Sequence, residues 1–297
     1  MREAASQRRR RGLNRNGREM TAQIIAVANR KGGVGKTTTA VNLASELAGH
    51  GRRVLVVDLD PQGHAGLGLD VTASRSDPTV HRIFDDRRID LAAAVKTSCV
   101  IGVDVLPAEH EFDVHGAVND PLSLARGLAT IQERYDAIVI DTSPSIDVTT
   151  VSALTAAQYV LIPTQLNHLA YDGIVRFSKV LFKIASMVNR RFTDLAIVPV
   201  QIDIRTTLQR IVLAKLLKQF GSKRILRGIR TDISLAEAFG SRKPVRLYRP
   251  QSRAATDYAL LAEDVLSLWL TDRRSPDPSI EAFGPSAARR PLEESQV

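Results

Sequence analysis

The stretch Lys31-Gly32-Gly33-Val34-Gly35-Lys36-Thr37-Thr38 decides how the rest of the chain is organised. It follows an apolar run at 24–28 and precedes a helical apolar pattern at 40–47, so the local order is strand, glycine loop, helix. In this order the backbone N–H groups of the loop and the helix N-terminus converge on one point, which suits a phosphate chain. The stretch therefore predicts a nucleotide-binding loop, in which Lys36 reaches the terminal phosphates and the Thr37 hydroxyl ligates Mg²⁺.

The first lysine of this stretch is an unusual feature. Lys31 and Lys36 together supply more positive charge than the phosphate chain of one nucleotide needs. The ordinary alternative is that Lys31 is a solvated surface lysine without a role in binding.

Three carboxylates follow apolar runs farther along the chain. Asp58 and Asp60 end one run, and Asp141 ends another. Ligands of open parallel sheets bind at the carboxyl ends of the strands, and oxygen ligands suit Mg²⁺. We therefore predict that Asp58 and Asp141 join Thr37 around the metal, while Asp60 reaches a water molecule near the last phosphate.

Taken together, the glycine loop and the acidic runs resemble the deviant Walker A and acidic boxes of the ParA/MinD family over about residues 23–270. The resemblance implies that Lys31 reaches across a dimer to the nucleotide of the partner, and that Asp60 positions the attacking water. It names Lys31, Lys36 and Asp60 as catalytic residues, and ATP and Mg²⁺ as cofactors. His64 departs from the family, which has asparagine there, and we expect a loop histidine rather than a base. The implied ATP-binding residues are Lys31, Gly32, Gly33, Val34, Gly35, Lys36, Thr37 and Thr38.

The alternation of strand and helix patterns predicts an α/β fold, a single doubly wound and mostly parallel sheet with helices on both faces, as in P-loop NTPases. We place this ATPase domain at 21–272. Beyond the first βα unit, at 23–49, we predict strands at 53–58, 100–106, 135–141, 157–165 and 195–200, and helices at 79–84, 89–95, 121–134, 171–189, 206–220 and 254–270.

Both ends of the chain have the composition of disordered tails. Residues 1–20 carry seven arginines and two glutamates without apolar periodicity, and residues 273–297 are polar with several prolines. The basic tail is either a nucleic-acid-binding arm or an inert segment ahead of a true start at Met20.

The net charge of +9 and the pI near 10.0 favour nucleic acid or an anionic surface as a partner. Within the predicted domain the basic residues concentrate at 223–253, where a density of this kind suits sequence-independent contact with phosphates. The alternative is a solvated face. Thr231 and Ser234 stand where the family often carries arginines, so DNA contact either moves to neighbouring residues or is weaker. The candidate DNA-binding residues are Arg227, Arg230, Arg242, Lys243 and Arg246.

The histidines and the single cysteine carry little chemistry. His81, His110 and His115 lack ligand spacing, so we expect solvated side chains rather than a metal site. Cys99 is the only cysteine, which excludes an intrachain disulfide and the usual iron–sulfur ligation.

The resemblance therefore implies an ATP-dependent partition ATPase in the bacterial cytoplasm, associated with the nucleoid. Its expected partners are a second copy of the chain, non-specific double-stranded DNA and a ParB-type centromere-binding protein, without a membrane. Two alternatives remain, a MinD-like positioning ATPase at a membrane surface and a metabolic enzyme of the same superfamily. The first would need an amphipathic C-terminal helix, whereas the chain after Leu270 has no apolar face. The second would have no use for Lys31 or the basic segment.

Overall fold

The computed structural model describes residues 21–270, except 75, 86–89, 111, 113–119 and 204. The predicted tails at 1–20 and 273–297, the end of the predicted domain at 271–272, and His115 lie outside the described residues. Among the described helices, none combines the length and the hydropathy that a membrane span requires.

One sheet of eight strands forms the centre of the fold. Seven of the strands run parallel, and only β3 is antiparallel to its neighbour β4. The order across the sheet is β3-β4-β2-β5-β1-β6-β7-β8. The strands are β1 (Gln23–Val27), β2 (Val54–Asp58), β3 (Lys96–Thr97), β4 (Val103–Leu106), β5 (Ala137–Asp141), β6 (Tyr159–Gln165), β7 (Asp194–Ile202) and β8 (Ile229–Arg230).

Helices cover both faces of the sheet and bury two separate apolar cores. One core contains residues of α1 and α10, and the other contains residues of α4, α5, α6 and α7. This two-layered covering confirms the predicted doubly wound α/β class. The helices are α1 (Lys36–Gly49), α2 (His64–Leu67), α3 (Leu91–Ala94), α4 (Ser123–Ala129), α5 (Val148–Ala156), α6 (His168–Met187), α7 (Thr207–Phe220), α8 (Ser234–Gly240), α9 (Val245–Tyr248) and α10 (Arg253–Trp269), with short 3₁₀ turns at Val80–Phe84, Gln132–Arg134 and Ser222–Arg224.

The register of the central strands brings the predicted site residues to one edge of the sheet. The last residue of β1, Val27, lies opposite Asp141 at the end of β5, and Asp58 at the end of β2 lies opposite Asp141 on its other side. Because all three strands are parallel, the glycine loop after β1 and the carboxylates after β2 and β5 meet at this edge.

Three of the differences between predicted and observed boundaries have local reasons. The helix predicted at 121–134 ends at Ala129, where the Thr130 hydroxyl donates to the carbonyl of Gly127 and competes with helical bonding. The strand predicted from residue 100 begins at Val103, whose N–H closes a turn onto the Val100 carbonyl. The helix predicted from residue 171 begins at His168, because the Asn167 side chain caps it.

Candidate nucleotide and metal site

The glycine loop is anchored to the neighbouring strand by Asn29, a residue that our sequence reasoning missed. Its side-chain amide donates to the carbonyl of Pro163 at 2.8 Å and to the Thr164 hydroxyl at 3.3 Å, and its oxygen accepts from the N–H of Lys31 at 3.0 Å. The only signal in the sequence was a polar residue just after an apolar strand. Asn29 thus ties the start of the loop to β6.

The loop turns into α1 through backbone conformations that only glycine adopts easily. Gly33 has φ of +70° and Gly35 has φ of +76°, in the left-handed region. Gly35 occupies the position before α1 without a side-chain cap, so no side chain covers the N–H groups of the first turn. This end of α1 presents backbone donors and the positive end of the helix dipole to a phosphate chain.

The two lysines of the loop lie in different surroundings. Lys36 is only 7% exposed, and its Nζ donates to the Lys31 carbonyl at 3.4 Å. Burial lowers the pKa of Lys36, while the charges of Asp141 and Asp60 oppose this shift. The side chain of Lys31 is at the surface, with Nζ 3.2 Å from Oε1 of Gln165 at the end of β6. The Lys36 ammonium therefore contacts its own loop, whereas the Lys31 ammonium lies at the protein surface.

Asp58 and Asp141 lie side by side in the sheet but have different partners. Asp58 is fully buried, and its two oxygens accept from the N–H groups of Asp60 at 3.2 Å and of Gly66 at 2.9 Å. Asp141 is also fully buried, but neither of its oxygens has a hydrogen-bond partner among the described residues. Asp58 thus holds the loop after β2, while Asp141 has both oxygens available for a ligand.

Burial shifts the protonation of this pair. Burial, together with the charge of Asp60, raises the pKa of Asp58 to about 7 although two N–H groups favour the charged form. Burial and the neighbouring Asp58 hold the pKa of Asp141 well above its usual range, against the Thr37 hydroxyl and the Lys36 ammonium. A buried carboxylate with two unpartnered oxygens beside a hydroxyl is a donor set that fits Mg²⁺.

Asp60 lies just outside this buried pair. It is partly exposed, and its Oδ1 accepts from the N–H of Gln62 at 3.0 Å. Its charge acts on Lys36, Asp58 and Asp141, so it faces the same centre. A partly exposed carboxylate at this place can accept a hydrogen bond from water.

The loop after β5 closes the other side of the site. The Thr142 hydroxyl donates to the carbonyl of Val27 at 3.0 Å, which ties this loop to the end of β1. Ser143 and Ser145 both donate to Asp147, which also caps α5 by accepting from the N–H of Thr150 at 3.0 Å. Burial opposes the charge of Asp147, but these hydrogen bonds outweigh it and keep its pKa below the ordinary value.

The histidine expectations were wrong for one of the residues that the structure describes. His81 is fully buried rather than solvated, between the ends of β2 and β4. His110 is exposed, as predicted, and His64 is exposed with its ring 5.8 Å from the ring of Phe239. The described ranges contain no group of three or more histidine, cysteine, aspartate or glutamate side chains placed to hold a metal ion.

Carboxylates from other parts of the chain pair with the basic segment 223–253. Arg227 pairs with Asp264 and Glu263, and Arg230 pairs with Asp257. Further pairs are Arg224 with Asp194, Arg242 with Asp70 at 3.7 Å, Arg246 with Glu46 at 3.1 Å and, within the segment itself, Arg249 with Glu237 at 3.4 Å. Much of the local positive charge read from the sequence is therefore balanced in the folded protein.

The comparisons with known proteins agree with this architecture. Residues 22–195 match a family described as AAA domain. Soj, the sporulation initiation inhibitor protein of Bacillus subtilis, is 36% identical over 248 residues, which cover 82% of this chain and 98% of that protein.

Two solved structures extend the comparison. Cobyrinic acid a,c-diamide synthase of Mycobacterium smegmatis, solved with ADP and magnesium, superposes with a TM-score of 0.68 at 30% identity, covering 87% of this chain and 99% of that one. The septum site-determining protein MinD of Pyrococcus horikoshii, solved with Mg-ADP, has a TM-score of 0.71 at 24% identity, covering 86% and 100%. The second likeness shows the fold alone.

The sheet, the glycine loop and the buried carboxylates define a P-loop ATPase of the deviant Walker A class. Within that class, the chain belongs to the ParA/Soj family.

Proposed function

We propose that this ParA-family ATPase partitions DNA in the bacterial cytoplasm, in association with the nucleoid. Two protomers close around ATP, the closed dimer holds double-stranded DNA without sequence preference, and hydrolysis releases it. A ParB-type centromere-binding protein stimulates that hydrolysis. The chromosome partitioning protein ParA of Caulobacter vibrioides, 33% identical over 252 residues, supports this assignment.

The observation that carries the proposal is the contrast between the two lysines of the loop. Lys36 lies buried against its own loop, whereas Lys31 is exposed, and the described contact of its Nζ is with Oε1 of Gln165 at 3.2 Å. A cation displayed at the mouth of a phosphate site is available to the nucleotide of a second protomer. This arrangement supports a dimer in which each Lys31 completes the site of its partner.

The chemistry uses ATP and Mg²⁺, and the bound ion neutralises the charge that develops on the transferred phosphoryl group. The loop amides and Lys36 would hold the phosphates. Thr37 and Asp141 would hold the ion, and Asp58 supports them by fixing the loop after β2. Asp60, partly exposed beside Lys36, would orient the attacking water.

For DNA contact, the proposed residues remain Arg227, Arg230, Arg242, Lys243 and Arg246. Since three of them form close ion pairs, we assign the main contact to Arg242 and Lys243, which are exposed. Arg242 has only a 3.7 Å contact with the exposed Asp70, a pair that contributes little in water.

A second candidate surface lies on α6 and α7, which we call the α6–α7 face. It consists of exposed cations, none of which forms an ion pair with a carboxylate that the structure describes. Charge that is not balanced within the protein suits phosphate contact. The residues of the face are Arg176, Lys179, Lys183, Arg210, Lys215 and Lys218.

The decisive experiment measures binding of the purified protein to random-sequence duplex DNA with ATP, with ADP and without nucleotide. We expect the wild type to retain DNA only in the presence of ATP. Lys31→Ala should lose both DNA retention and ATP-dependent dimerisation. Arg30→Ala, which removes an exposed cation from the adjacent position, is the matched control and should bind normally. Normal ATP-dependent DNA binding by Lys31→Ala would contradict the sandwich dimer.

The role of Asp60 is tested in the same assay. Asp60→Ala should retain ATP and DNA binding but lose turnover, because the attacking water is no longer oriented. Unchanged ATP turnover in Asp60→Ala would show that Asp60 does not orient the attacking water. ATP turnover by the wild type without any DNA retention would instead favour a metabolic function, a reading compatible with the likeness to the diamide synthase.

A further inference from the structure

His81 is a buried polar side chain close to the loop that carries Asp60. Its ring lies inside the protein, stacked on Phe112 with centroids 4.4 Å apart. Its two nitrogens contact the backbone on both sides, the Leu59 carbonyl at 3.2 Å and the Glu109 N–H at 2.9 Å. Because an amide can only donate and a carbonyl can only accept, Nδ1 is the acceptor and Nε2–H is the donor.

The carbonyl that His81 holds belongs to the residue between the two aspartates of the β2 end. The N–H of Leu59 donates to the Asp141 carbonyl at 3.0 Å, and the next N–H, of Asp60, donates to the Asp58 carboxylate at 3.2 Å. With the His81 contact, both backbone groups of Leu59 and the amide of Asp60 have fixed partners. The orientation of the Leu59–Asp60 peptide, and hence the direction in which the Asp60 side chain leaves the backbone, depends on these three bonds.

The turn that carries His81 is itself fastened to the end of β4. The N–H of Val80 donates to the Pro107 carbonyl at 3.0 Å, and the Thr79 hydroxyl donates to Glu109 at 3.2 Å. Arg82 forms an ion pair with the same carboxylate of Glu109 at 3.2 Å. His81 therefore links the peptide that carries Asp60 to the chain segment after β4.

We propose that His81 is a positioning residue for ATP hydrolysis: its Nε2–H holds the Leu59 carbonyl and thereby aims the Asp60 carboxylate at the attacking water. The proposal rests on the role of Asp60 in the proposed function. Since catalytic groups must be held close to their productive geometry, loss of this bond should lower kcat and leave nucleotide binding unchanged.

Two amide substitutions separate the two contacts of the ring. His81→Gln places an amide nitrogen near the position of Nε2 and can still donate to Leu59, whereas His81→Asn reaches only the position of Nδ1 and can accept from Glu109. We expect His81→Asn to lower kcat about tenfold with KM for ATP within about twofold, and His81→Gln to keep kcat within about twofold of the wild type. Turnover is expressed per nucleotide-binding site, titrated with a non-hydrolysable ATP analogue, so that a smaller folded fraction does not imitate the effect.

Amide hydrogen exchange across residues 58–66 supplies a readout independent of activity, and we expect faster exchange in His81→Asn than in His81→Gln. Equal kcat in wild type and His81→Asn, or equal losses in the two variants, would overturn the positioning role. Asp60→Ala is measured alongside. If it retains turnover, the proposed role of Asp60 fails. If it loses turnover while His81→Asn does not, only the inference about His81 fails.

Discussion

At the scale of single residues, the two buried aspartates show how identical side chains at aligned strand ends acquire different roles. Both oxygens of Asp58 accept hydrogen bonds from backbone amides, so Asp58 anchors the loop that carries Asp60. The oxygens of Asp141 have no such bonds within the described structure. A fully buried carboxylate without partners destabilises the folded state unless a cation compensates its charge.

This difference predicts stability effects of different size for two like substitutions in the absence of Mg²⁺. At pH 8, Asp141→Asn should raise the free energy of unfolding by about 1–3 kcal/mol, because it removes a buried carboxylate whose desolvation the Lys36 ammonium and the Thr37 hydroxyl offset only in part. Asp58→Asn should raise it by less, because burial disfavours the charged Asp58 as well, but an amide with a single oxygen cannot accept from both N–H groups as the carboxylate does. Urea denaturation in EDTA measures both, and a gain for Asp58→Asn as large as that for Asp141→Asn would contradict the anchoring role of Asp58.

A second prediction concerns the pH dependence contributed by His81. Burial lowers its pKa to about 4, from an ordinary value of 6.5, with the Leu59 carbonyl and the charge of Asp147 opposing the shift. Between these two values the unfolded chain binds a proton that the folded protein excludes, so stability is lost as the pH falls from about 6.5 to 4.

The full contribution is about 3 kcal/mol. It is isolated as the difference in unfolding free energy between the wild type and His81→Gln, measured from pH 7.5 to pH 4. As the pH falls, the wild type should lose unfolding free energy relative to His81→Gln. A difference that does not change with pH would show that the pKa of His81 is the same in the folded and the unfolded protein.

At the scale of elements, α1 connects the phosphate site with the basic segment. Its first residue, Lys36, belongs to the site, and its middle carries Asn42, whose oxygen accepts from the N–H of Val245 at 2.8 Å. Near its end, the buried Glu46 pairs with Arg246 at 3.1 Å. The guanidinium of Arg246 lies so close over Gly49 that a Cβ there would be 1.7 Å from Nη1. Arg246 is therefore part of the joint between α1 and α9.

The contact between Arg246 and Glu46 predicts that substitution of Arg246 lowers stability, and this effect must be separated from any effect on DNA binding. Burial raises the pKa of Glu46, and the Arg246 charge and hydrogen bond oppose that shift. Arg246→Met keeps the side-chain volume but leaves Glu46 without its cation, so we expect a loss of about 3 kcal/mol in the free energy of unfolding. Adding Glu46→Gln should restore most of that loss, because no buried charge remains.

Urea denaturation of the wild type, both single variants and the double variant completes the thermodynamic cycle. Additive effects would mean that the two residues do not interact. Weakened DNA binding by Arg246→Met counts as evidence for contact only if the double variant, restored in stability, remains equally weak.

The elements also show which parts of the fold the sequence pattern revealed. The central strands and long helices were predicted because their apolar runs and periods are strong, as in 135–141 and 254–270. The two-residue strand β3 was not anticipated, since an antiparallel edge pair of this length leaves no periodic pattern. Asn29 was missed for a related reason, because its role depends on β6, which is more than 130 residues away.

At the scale of the whole molecule, the distribution of charge differs from its distribution along the chain. Four cations of 223–253 pair with acids of α1, α10 and the start of β7. The cations of the α6–α7 face have no such partners among the described residues, and they lie on the opposite layer of the sheet from α1. Two basic surfaces of the same protein are therefore separable by mutation.

Two matched double variants should decide which surface contacts DNA. Arg242→Gln with Lys243→Gln should weaken ATP-dependent binding to all sequences and reduce the slope of log affinity against log salt by about two. Lys179→Gln with Lys183→Gln removes the same charge and should leave the slope unchanged. The reverse result would place the contact on the α6–α7 face, and no change in either variant would leave both as solvated faces.

The sequence by itself determined the class of the protein and the chemistry of its nucleotide site. Glycines, lysines and strand-end carboxylates act through local geometry, and local geometry is encoded in neighbouring residues such as Lys31–Thr38. Only the tertiary structure decided which of several similar residues is buried, paired or exposed. Asp58 differs from Asp141, His81 is buried, and Arg230 is paired while Lys243 is exposed, because partners distant along the chain determine burial and charge balance.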